Sequence, residues 1–297
     1  MSESELEKLI GFLSERERPE APTVEEIRAG FEALAQSLDM PDDASIERHN
    51  IDGLAAEMIT APGAGEYKTL LYLHGGGYVI GSINTHRNLA YDISAASGMR
   101  VLLIDYRLAP EAPFPAAVED ATKAYQWLLG RGVSNDDIAI GGDSAGGGLT
   151  IATMEALKNY HIALPACAVC LSPWVDLEMN SESIRSRADM DPIVDEDTLT
   201  NFAKLYLNGA NPREALASPI YGNLSNFPEI LIQVGTSEVL YDDALQLHGA
   251  IRSAGSHSRL EVWQDMIHVW QMFAPMLSEG RDAIQHVGNF LREKVND

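Results

Sequence analysis

A serine on a glycine-rich turn is the first residue of this chain whose surroundings could support chemistry. The apolar run 138–140 stops at Gly141 and Gly142, presents Ser144, and continues past Gly146 into a helix-forming segment. Glycine two residues before and after the serine leaves room for neighbouring backbone and for an incoming substrate. The pattern predicts a strand, a sharp turn and a helix that hold Ser144 strained as a nucleophile. The alternative is a glycine-rich turn with an incidental serine, so the partners that a nucleophile needs must also be present.

Three consecutive glycines form a second candidate site, directly after the apolar run 70–73 and His74. Glycines at a strand end cost chain entropy, which indicates that backbone N–H groups must point outward with no Cβ in the way. Such donors stabilise the negative charge that a carbonyl oxygen gains when a serine attacks it. We expect the amides of Gly76, Gly77 and Ala145 to form this oxyanion hole. A phosphate loop is the alternative, but no lysine follows with Walker spacing and no Gly-x-Gly-x-x-Gly runs into a helix.

Three motifs together resemble those of a known enzyme family. They are His74-Gly75-Gly76-Gly77, Asp105-Tyr106-Arg107-Leu108-Ala109-Pro110-Glu111 and Gly142-Asp143-Ser144-Ala145-Gly146-Gly147, in this order along the chain. From residue 45 to its end the chain is similar to the hormone-sensitive-lipase-like family of bacterial carboxylesterases. That resemblance implies an α/β-hydrolase fold, hydrolysis of short-to-medium acyl esters through an acyl-enzyme, and a mainly structural role for 105–111.

A serine hydroxyl needs a base, and a histidine late in the chain can supply it. In α/β-hydrolases the order is Ser, then Asp or Glu, then His, each on a loop after a strand. His268 follows the last predicted strand, whereas His286 lies inside the C-terminal helical pattern. We therefore predict His268 as the base, with His86 as a weaker candidate for the pocket rim. We expect four other histidines to be surface or packing residues: His49, His161, His248 and His257.

The base in turn needs a carboxylate, and the loop after the predicted strand 229–235 offers Glu238, Asp242 and Asp243. The resemblance places the acid on Glu238, where the family usually carries aspartate. Glutamate is one methylene longer, so the backbone or the histidine must shift slightly, although Glu serves in other α/β-hydrolases. Asp242 is the alternative acid. Asp242 and Asp243 both lie where a helix should begin, and carboxylates are common there for capping and dipole effects.

Strand-like and helical segments alternate along most of the chain, which is typical of a mostly parallel sheet with helices on both faces. We expect an α/β fold with about eight strands, the first pair being an antiparallel hairpin, and a helical cap. The predicted strands are 45–51, 54–60, 69–74, 100–106, 137–142, 166–171, 229–235 and 259–264.

Two segments outside this alternation are predicted to cover the sheet. Residues 1–44 carry two helical patterns, the second beginning at a Thr23/Glu26 capping box, and form an N-terminal helical cap segment. Residues 176–212 contain an acidic irregular stretch and a helical one, and long insertions of this kind tend to be lids or binding loops. We therefore predict a cap insertion at 176–212 and a catalytic domain made of 45–175 and 213–297.

The composition limits the classes of partner. The 297 residues carry a net charge of −23 at pH 7 and a pI near 4.6. Nucleic acid and anionic membrane surfaces would repel such a chain at long range, so we expect a small, uncharged or cationic ligand, here an uncharged ester. The acidic N-terminus lacks the features of a signal peptide, and no apolar run is long enough to span a bilayer, which predicts a cytoplasmic protein without a membrane partner.

Cys167 and Cys170 are three residues apart in a predicted strand, so their side chains should lie on opposite faces and serve core packing rather than redox chemistry. No metal-binding pattern is present, so we expect hydrolysis without metal or cofactor. The last predicted strand, 259–264, should lie at a sheet edge, where it could pair with a second chain as a homodimer. An amidase, peptidase or lipase on the same fold, or a ligand receptor that has lost catalysis, remain alternatives.

Overall fold

A computed structural model of the protein describes residues 4–15, 22–38 and 40–295. The strands lie in one sheet, and helices pack on both of its faces. The strands are β1 (Ser45–Ile51), β2 (Leu54–Thr60), β3 (Thr69–Leu73), β4 (Arg100–Ile104), β5 (Ile138–Asp143), β6 (Cys167–Leu171), β7 (Glu229–Gly235) and β8 (Ser258–Trp263). The helices are α1 (Glu5–Ser14), α2 (Val24–Gln36), α3 (Ile83–Ser97), α4 (Ala116–Gly130), α5 (Ala145–Asn159), α6 (Ser183–Ser186), α7 (Glu196–Leu207), α8 (Tyr241–Ser253) and α9 (Ser278–Lys294).

The strand order in the eight-stranded sheet is β1-β2-β4-β3-β5-β6-β7-β8. β2 pairs antiparallel with β1 and with β4, and the remaining neighbours pair in parallel. The predicted α/β-hydrolase sheet with an antiparallel first pair is therefore confirmed. Because parallel strands all point the same way, their carboxyl ends lie along one side of the sheet, and the loops after β3, β5, β6, β7 and β8 lie side by side there.

Both faces of the central strands are buried, which explains their continuous apolar runs. Leu71 and Ile140 belong to a core with side chains of α4, α5 and α8, whereas Leu70 belongs to a second core with α3 and α9. Cys170 lies in the first core and Cys167 in the second, and both thiols are free. The predicted packing role of the two cysteines on opposite faces is confirmed, and burial raises the pKa of both thiols.

The two N-terminal helices begin at capping boxes that link Ser4 to Glu7 and Thr23 to Glu26, as the spacing predicts for the second. Parts of the predicted N-terminal segment, at 1–3, 16–21 and 39, lie outside the described residues. Along the described ranges, no helix is both long enough and apolar enough to cross a bilayer.

Differences from the predicted elements occur mainly at strand ends. β3 ends at Leu73 and β4 at Ile104, before the residues 74 and 106 to which the apolar runs extended, because the chain leaves the sheet there. The insertion 176–212, predicted to begin with irregular structure, carries the short helix α6 before α7. β8 forms one edge of the sheet as predicted, and pairing of that edge in a homodimer stays a prediction.

Candidate active site

Ser144 lies on the sharp turn between β5 and α5. Its backbone has φ 52° and ψ −121°, a conformation that strains any residue with a Cβ. The turn is held from both sides, because the Ser144 amide donates to the carbonyl of Leu171 (2.8 Å) and its own carbonyl accepts from the amide of Trp174 (2.9 Å). The predicted strand, turn and helix around Ser144 are confirmed.

Gly142 and Gly146 allow this turn to pack against β3. A Cβ on either glycine would collide with the main-chain carbonyl of Leu73. Backbone atoms of a central strand cannot move aside as a side chain can, so glycine is required at both positions. The sequence-based reason for these two glycines, room for neighbouring backbone, therefore holds.

The glycine loop after β3 turns back on itself next to Asp143, the residue before Ser144. Gly76 and Gly77 adopt φ +114° and +60°, and the carbonyl of Gly76 accepts from the amides of Val79 (3.0 Å) and Ile80 (2.9 Å). Within the described part of the chain, the amides of Gly76, Gly77 and Ala145 have no hydrogen-bond acceptor. Ala145 is the first residue of α5, where an amide has no partner inside the helix. These amides are suited to bind a developing oxyanion.

Glu238 and His268 come together on neighbouring loops. Glu238 Oε2 lies 2.7 Å from His268 Nδ1, and both side chains are almost fully buried. Glu238 Oε1 accepts from the amide of Gly235 (2.6 Å) and the hydroxyl of Ser172 (2.9 Å). Both oxygens of this carboxylate therefore have hydrogen-bond partners. The extra methylene of glutamate, compared with aspartate, does not prevent the hydrogen bond to His268.

The protonation of this pair follows from burial and from mutual attraction. Burial raises the pKa of Glu238, and the hydrogen bond to His268 opposes that shift. Burial alone would lower the pKa of His268, but the hydrogen bond and charge of Glu238, together with the weaker effects of the Asp191 and Asp143 charges, raise it above its ordinary value. A carboxylate at Nδ1 fixes the tautomer that leaves Nε2 free to take a proton.

The competing acids have structural partners instead. Asp242 accepts the amide of Ser183 (2.8 Å), and Asp243 accepts the amides of Val175 (2.9 Å) and Asp176 (3.1 Å). Both carboxylates thus attach the segment 175–183 to the start of α8. Burial raises the pKa of Asp243 to about 7.

One loop, 171–174, connects the serine to the histidine and its acid. Leu171 and Trp174 hold the backbone of Ser144, and between them the Ser172 hydroxyl donates to Glu238 and accepts the amide of Val269 (3.1 Å), the residue after His268. Among the described residues no hydrogen bond joins the Ser144 hydroxyl to His268. Catalytic hydrogen bonds are commonly long without substrate, so the shared loop is the connection that the structure supplies.

Sequence reasoning assigned no role to Ser172 or Asp143. Ser172 could have been noticed as a polar residue directly after a buried strand, at the same sheet edge as the other candidates. His86, a weaker candidate for the pocket rim, is instead fully buried, with Nε2 3.2 Å from Asp143 Oδ2. The rim assignment of His86 is wrong because α3 turns that side chain inward. Of the other histidines, His286 is on α9 as predicted.

Helices from both predicted cap segments pack against loops that carry candidate site residues. Leu9 and Leu13 of α1 pack in one cluster with Ile267, beside His268. A Cβ on Gly77 would collide with the ring of Phe202 on α7, so the insertion 176–212 packs directly on the glycine loop. Tyr206, one turn further along α7, stacks on Tyr78 with ring centroids 3.9 Å apart.

In the described ranges, no group of three or more histidine, cysteine, aspartate or glutamate side chains is arranged to hold a metal ion. The site residues that the geometry does bring together are a strained serine, a carboxylate-bound histidine and unpaired amides. On this sheet topology they define the class of the protein as an α/β-hydrolase.

Comparison with known proteins narrows that class. Residues 70–272 match the model of a family described as alpha/beta hydrolase fold. The chain is 46% identical to an acetyl-hydrolase of Streptomyces hygroscopicus over 80% of this chain and 79% of the relative. It superposes on a crystal structure of an esterase from the bacterial hormone-sensitive lipase family with a TM-score of 0.97, 49% identity and full coverage of both chains. It also matches EstE5, in a crystal soaked with p-nitrophenyl butyrate, with a TM-score of 0.95, 44% identity and 99% coverage of both chains.

These matches cover the sheet, the glycine loop and the serine turn together. The chain belongs to the hormone-sensitive-lipase-like family of bacterial carboxylesterases, and it is a carboxylic ester hydrolase.

Proposed function

We propose that the protein hydrolyses small, uncharged esters of short-to-medium acyl chains through an acyl-enzyme, with Ser144 as nucleophile, His268 as base and Glu238 as acid. The observation that carries this proposal is the 2.7 Å contact between Glu238 and His268, joined to the Ser144 turn by the loop 171–174. It supports a triad of the three residues that the sequence analysis assigns as nucleophile, base and acid.

In the first half of the reaction, Ser144 Oγ forms a bond to the ester carbonyl carbon while its proton moves to His268 Nε2. The carbonyl oxygen becomes an oxyanion that accepts hydrogen bonds from the amides of Gly76, Gly77 and Ala145. The tetrahedral intermediate collapses with cleavage of the bond to the alcohol oxygen, which receives the proton from His268. The alcohol leaves, and the acyl group stays on Ser144.

In the second half, water gives a proton to His268 and attacks the acyl carbonyl. Cleavage of the bond to Ser144 Oγ releases the carboxylic acid and returns the proton to the serine. Glu238 keeps its hydrogen bond to Nδ1 throughout, and so stabilises the imidazolium that exists between the two transfers.

The substrate class is supported by the cap and by relatives. Aromatic side chains of α7, including Phe202 and Tyr206, close over the glycine loop, and we infer that the segments 1–44 and 176–212 form the cap that bounds the acyl and alcohol pockets. One relative is named an acetyl-hydrolase, and a crystal of a structural relative was soaked with a butyrate ester. Acetyl and butyryl groups are both short acyl chains.

Replacing Ser144 tests the proposal. Ser144→Ala should lower kcat/KM for p-nitrophenyl butyrate by more than about 10³-fold, because the nucleophile is lost while the amides remain. Ser253→Ala is the matched control, since the hydroxyl of this serine donates to the carbonyl of Gly249 at the C-terminal end of α8. Phenylmethylsulfonyl fluoride should label Ser144 in the unaltered protein, as measured by peptide mass spectrometry. Persistent hydrolysis by Ser144→Ala with unchanged circular dichroism would overturn the proposal.

A series of p-nitrophenyl esters with two to sixteen acyl carbons, compared with matched anilides, separates the related activities. Carboxylesterase activity is expected to peak at short or medium chains and to exceed anilide cleavage. A peak at the longest chains would indicate a lipase, and faster anilide cleavage an amidase. No turnover of either set would favour a receptor.

A further inference from the structure

A buried polar network lies under the glycine loop and takes no part in the mechanism above. Asp143, Tyr72 and His86 are buried, and they come from β5, β3 and α3. Asp143 Oδ1 accepts from the Tyr72 hydroxyl (2.9 Å) and from the amide of Gly75 (3.1 Å). Asp143 Oδ2 lies 3.2 Å from His86 Nε2, which is itself 3.3 Å from the Gly75 nitrogen. Buried polar groups on three elements that meet in this way fix those elements relative to one another.

The network is anchored at its outer end as well. His86 Nδ1 lies 2.7 Å from the Thr85 hydroxyl oxygen, which also lies 2.9 Å from the carbonyl oxygen of Ser82 at the start of α3. Because an ionised carboxylate only accepts hydrogen bonds, His86 must carry its proton on Nε2 to contact Asp143. Burial alone would raise the pKa of Asp143, but His86 and the other donors hold it below its ordinary value. Asp143 is therefore an anion.

The position of Asp143 connects the two halves of the site. It immediately precedes Ser144 in the chain, and its carboxylate holds the residue that immediately precedes Gly76 and Gly77. A Cβ on Gly75 would collide with that carboxylate, so no space is left between the two. Any shift of the carboxylate displaces the glycine loop relative to the serine turn.

We propose that His86 and Asp143 are a positioning pair, in which His86 holds the Asp143 carboxylate against the Gly75 amide and so sets the distance from Ser144 to the Gly76 and Gly77 amides. This inference rests on the proposed function of those amides as the oxyanion hole. Neither side chain of the pair touches the substrate. The pair acts through the backbone of the loop, so its effect belongs to the transition state, where the oxyanion exists.

Two substitutions of His86 separate hydrogen bonding from packing. His86→Gln keeps a donor near the Nε2 position, whereas His86→Leu fills the space without one. We expect His86→Leu to lower kcat for p-nitrophenyl butyrate by about 10- to 100-fold, with KM changed less than about twofold. Displaced amides stabilise the oxyanion less well, and the loss in rate should not exceed that caused by removing one donor altogether. His86→Gln should recover most of that loss. The affinity of a trifluoromethyl ketone, which mimics the tetrahedral intermediate, should follow kcat/KM across the variants.

The controls distinguish a positioning role from general damage. His248→Leu removes a half-buried histidine that bonds the Ser258 hydroxyl (2.8 Å) outside the site, and it should leave kcat unchanged. If His86→Leu does not fold, His86→Asn replaces it, since its shorter amide does not reach Asp143. Equal kcat in unaltered, Gln and donor-free variants would overturn the pairing while Ser144→Ala still supports the hydrolase. The pairing would also be overturned if His86→Gln had the same low kcat as His86→Leu, or if His86→Leu raised KM without lowering kcat.

Discussion

The two halves of the site are built in different ways. On the proposed acid–base side, the side chain of Glu238 contacts those of both His268 and Ser172. On the proposed oxyanion side, the groups that would act are amides, and their direction is set by the glycine conformations of the loop after β3. A side chain can be aimed by one or two hydrogen bonds, whereas an amide moves only with its chain. The oxyanion side therefore needs support along a whole loop.

The N-terminal helices show the same contrast. α1 covers the acid–base side with apolar side chains, Leu9 and Leu13, packed with Ile267. α2 covers the oxyanion side with Arg28, which donates to the carbonyls of Val79 (2.9 Å) and Ala109 (2.9 Å) and pairs with both oxygens of Glu111. Apolar packing fixes a helix without directing the backbone beneath it. Arg28 holds that backbone directly, which suits a loop that has to present its amides.

The largest expected effect tests the acid–base side. Glu238→Ala should lower kcat by about 10³- to 10⁴-fold, since loss of a triad acid has costs of that order elsewhere. Asp242→Ala is the matched variant four residues along, and it should keep kcat within about threefold while losing some stability with its bond to Ser183. Steady-state kinetics on p-nitrophenyl butyrate measures both. The reverse ranking, with Asp242→Ala inactive and Glu238→Ala active, would reassign the acid.

A smaller effect is expected on the oxyanion side from Arg28. Arg28→Met keeps the aliphatic stem but removes all four hydrogen bonds, and we expect kcat to fall about tenfold because the loop 76–80 loses its outer support. Arg28→Lys should be intermediate, because an ammonium group cannot reproduce the planar fork. The control is Arg259→Met. Arg259 also pairs with a glutamate, Glu229, but it lies at the N-terminal end of β8, whereas His268 follows the C-terminal end. If α2 only shields the site, Arg28→Met will raise KM and leave kcat unchanged.

The smallest expected effect is a shift in the pH profile. The base must be neutral to accept the serine proton, and Glu238 raises the pKa of His268, so kcat/KM should fall as pH drops through that raised value. In Glu238→Gln the stabilising charge is gone, the pKa of His268 falls, and the acid limb of the residual activity should move to lower pH by about one unit. His86→Gln, on the other side of the site, should keep the original limb. If the acid limb of the pH profile did not move in Glu238→Gln, a group other than Glu238 would set the pKa of His268.

Much of the fold and several site residues follow from the sequence because they depend on local rules. The apolar runs predict the strands, and the turn glycines predict the serine elbow. The three-residue offset predicts that Cys167 and Cys170 face opposite cores. Gly142 and Gly146 could be assigned before any coordinates, because a backbone crossing has no room for a side chain whatever the rest of the fold does.

The remaining features were decided by tertiary structure, since they depend on which loops become neighbours. Glu238 and Asp242 are four residues apart, on the loop after β7 and in the first turn of α8, and only the approach of the loop after β8 places His268 against Glu238. The burial of His86 against Asp143 depends on how α3 packs on the sheet. Likewise, the amphipathic patterns of α1 and α2 indicate that each helix packs one face against the rest of the protein. Only contacts between distant parts of the chain place α1 near the loop of His268 and α2 near the glycine loop after β3.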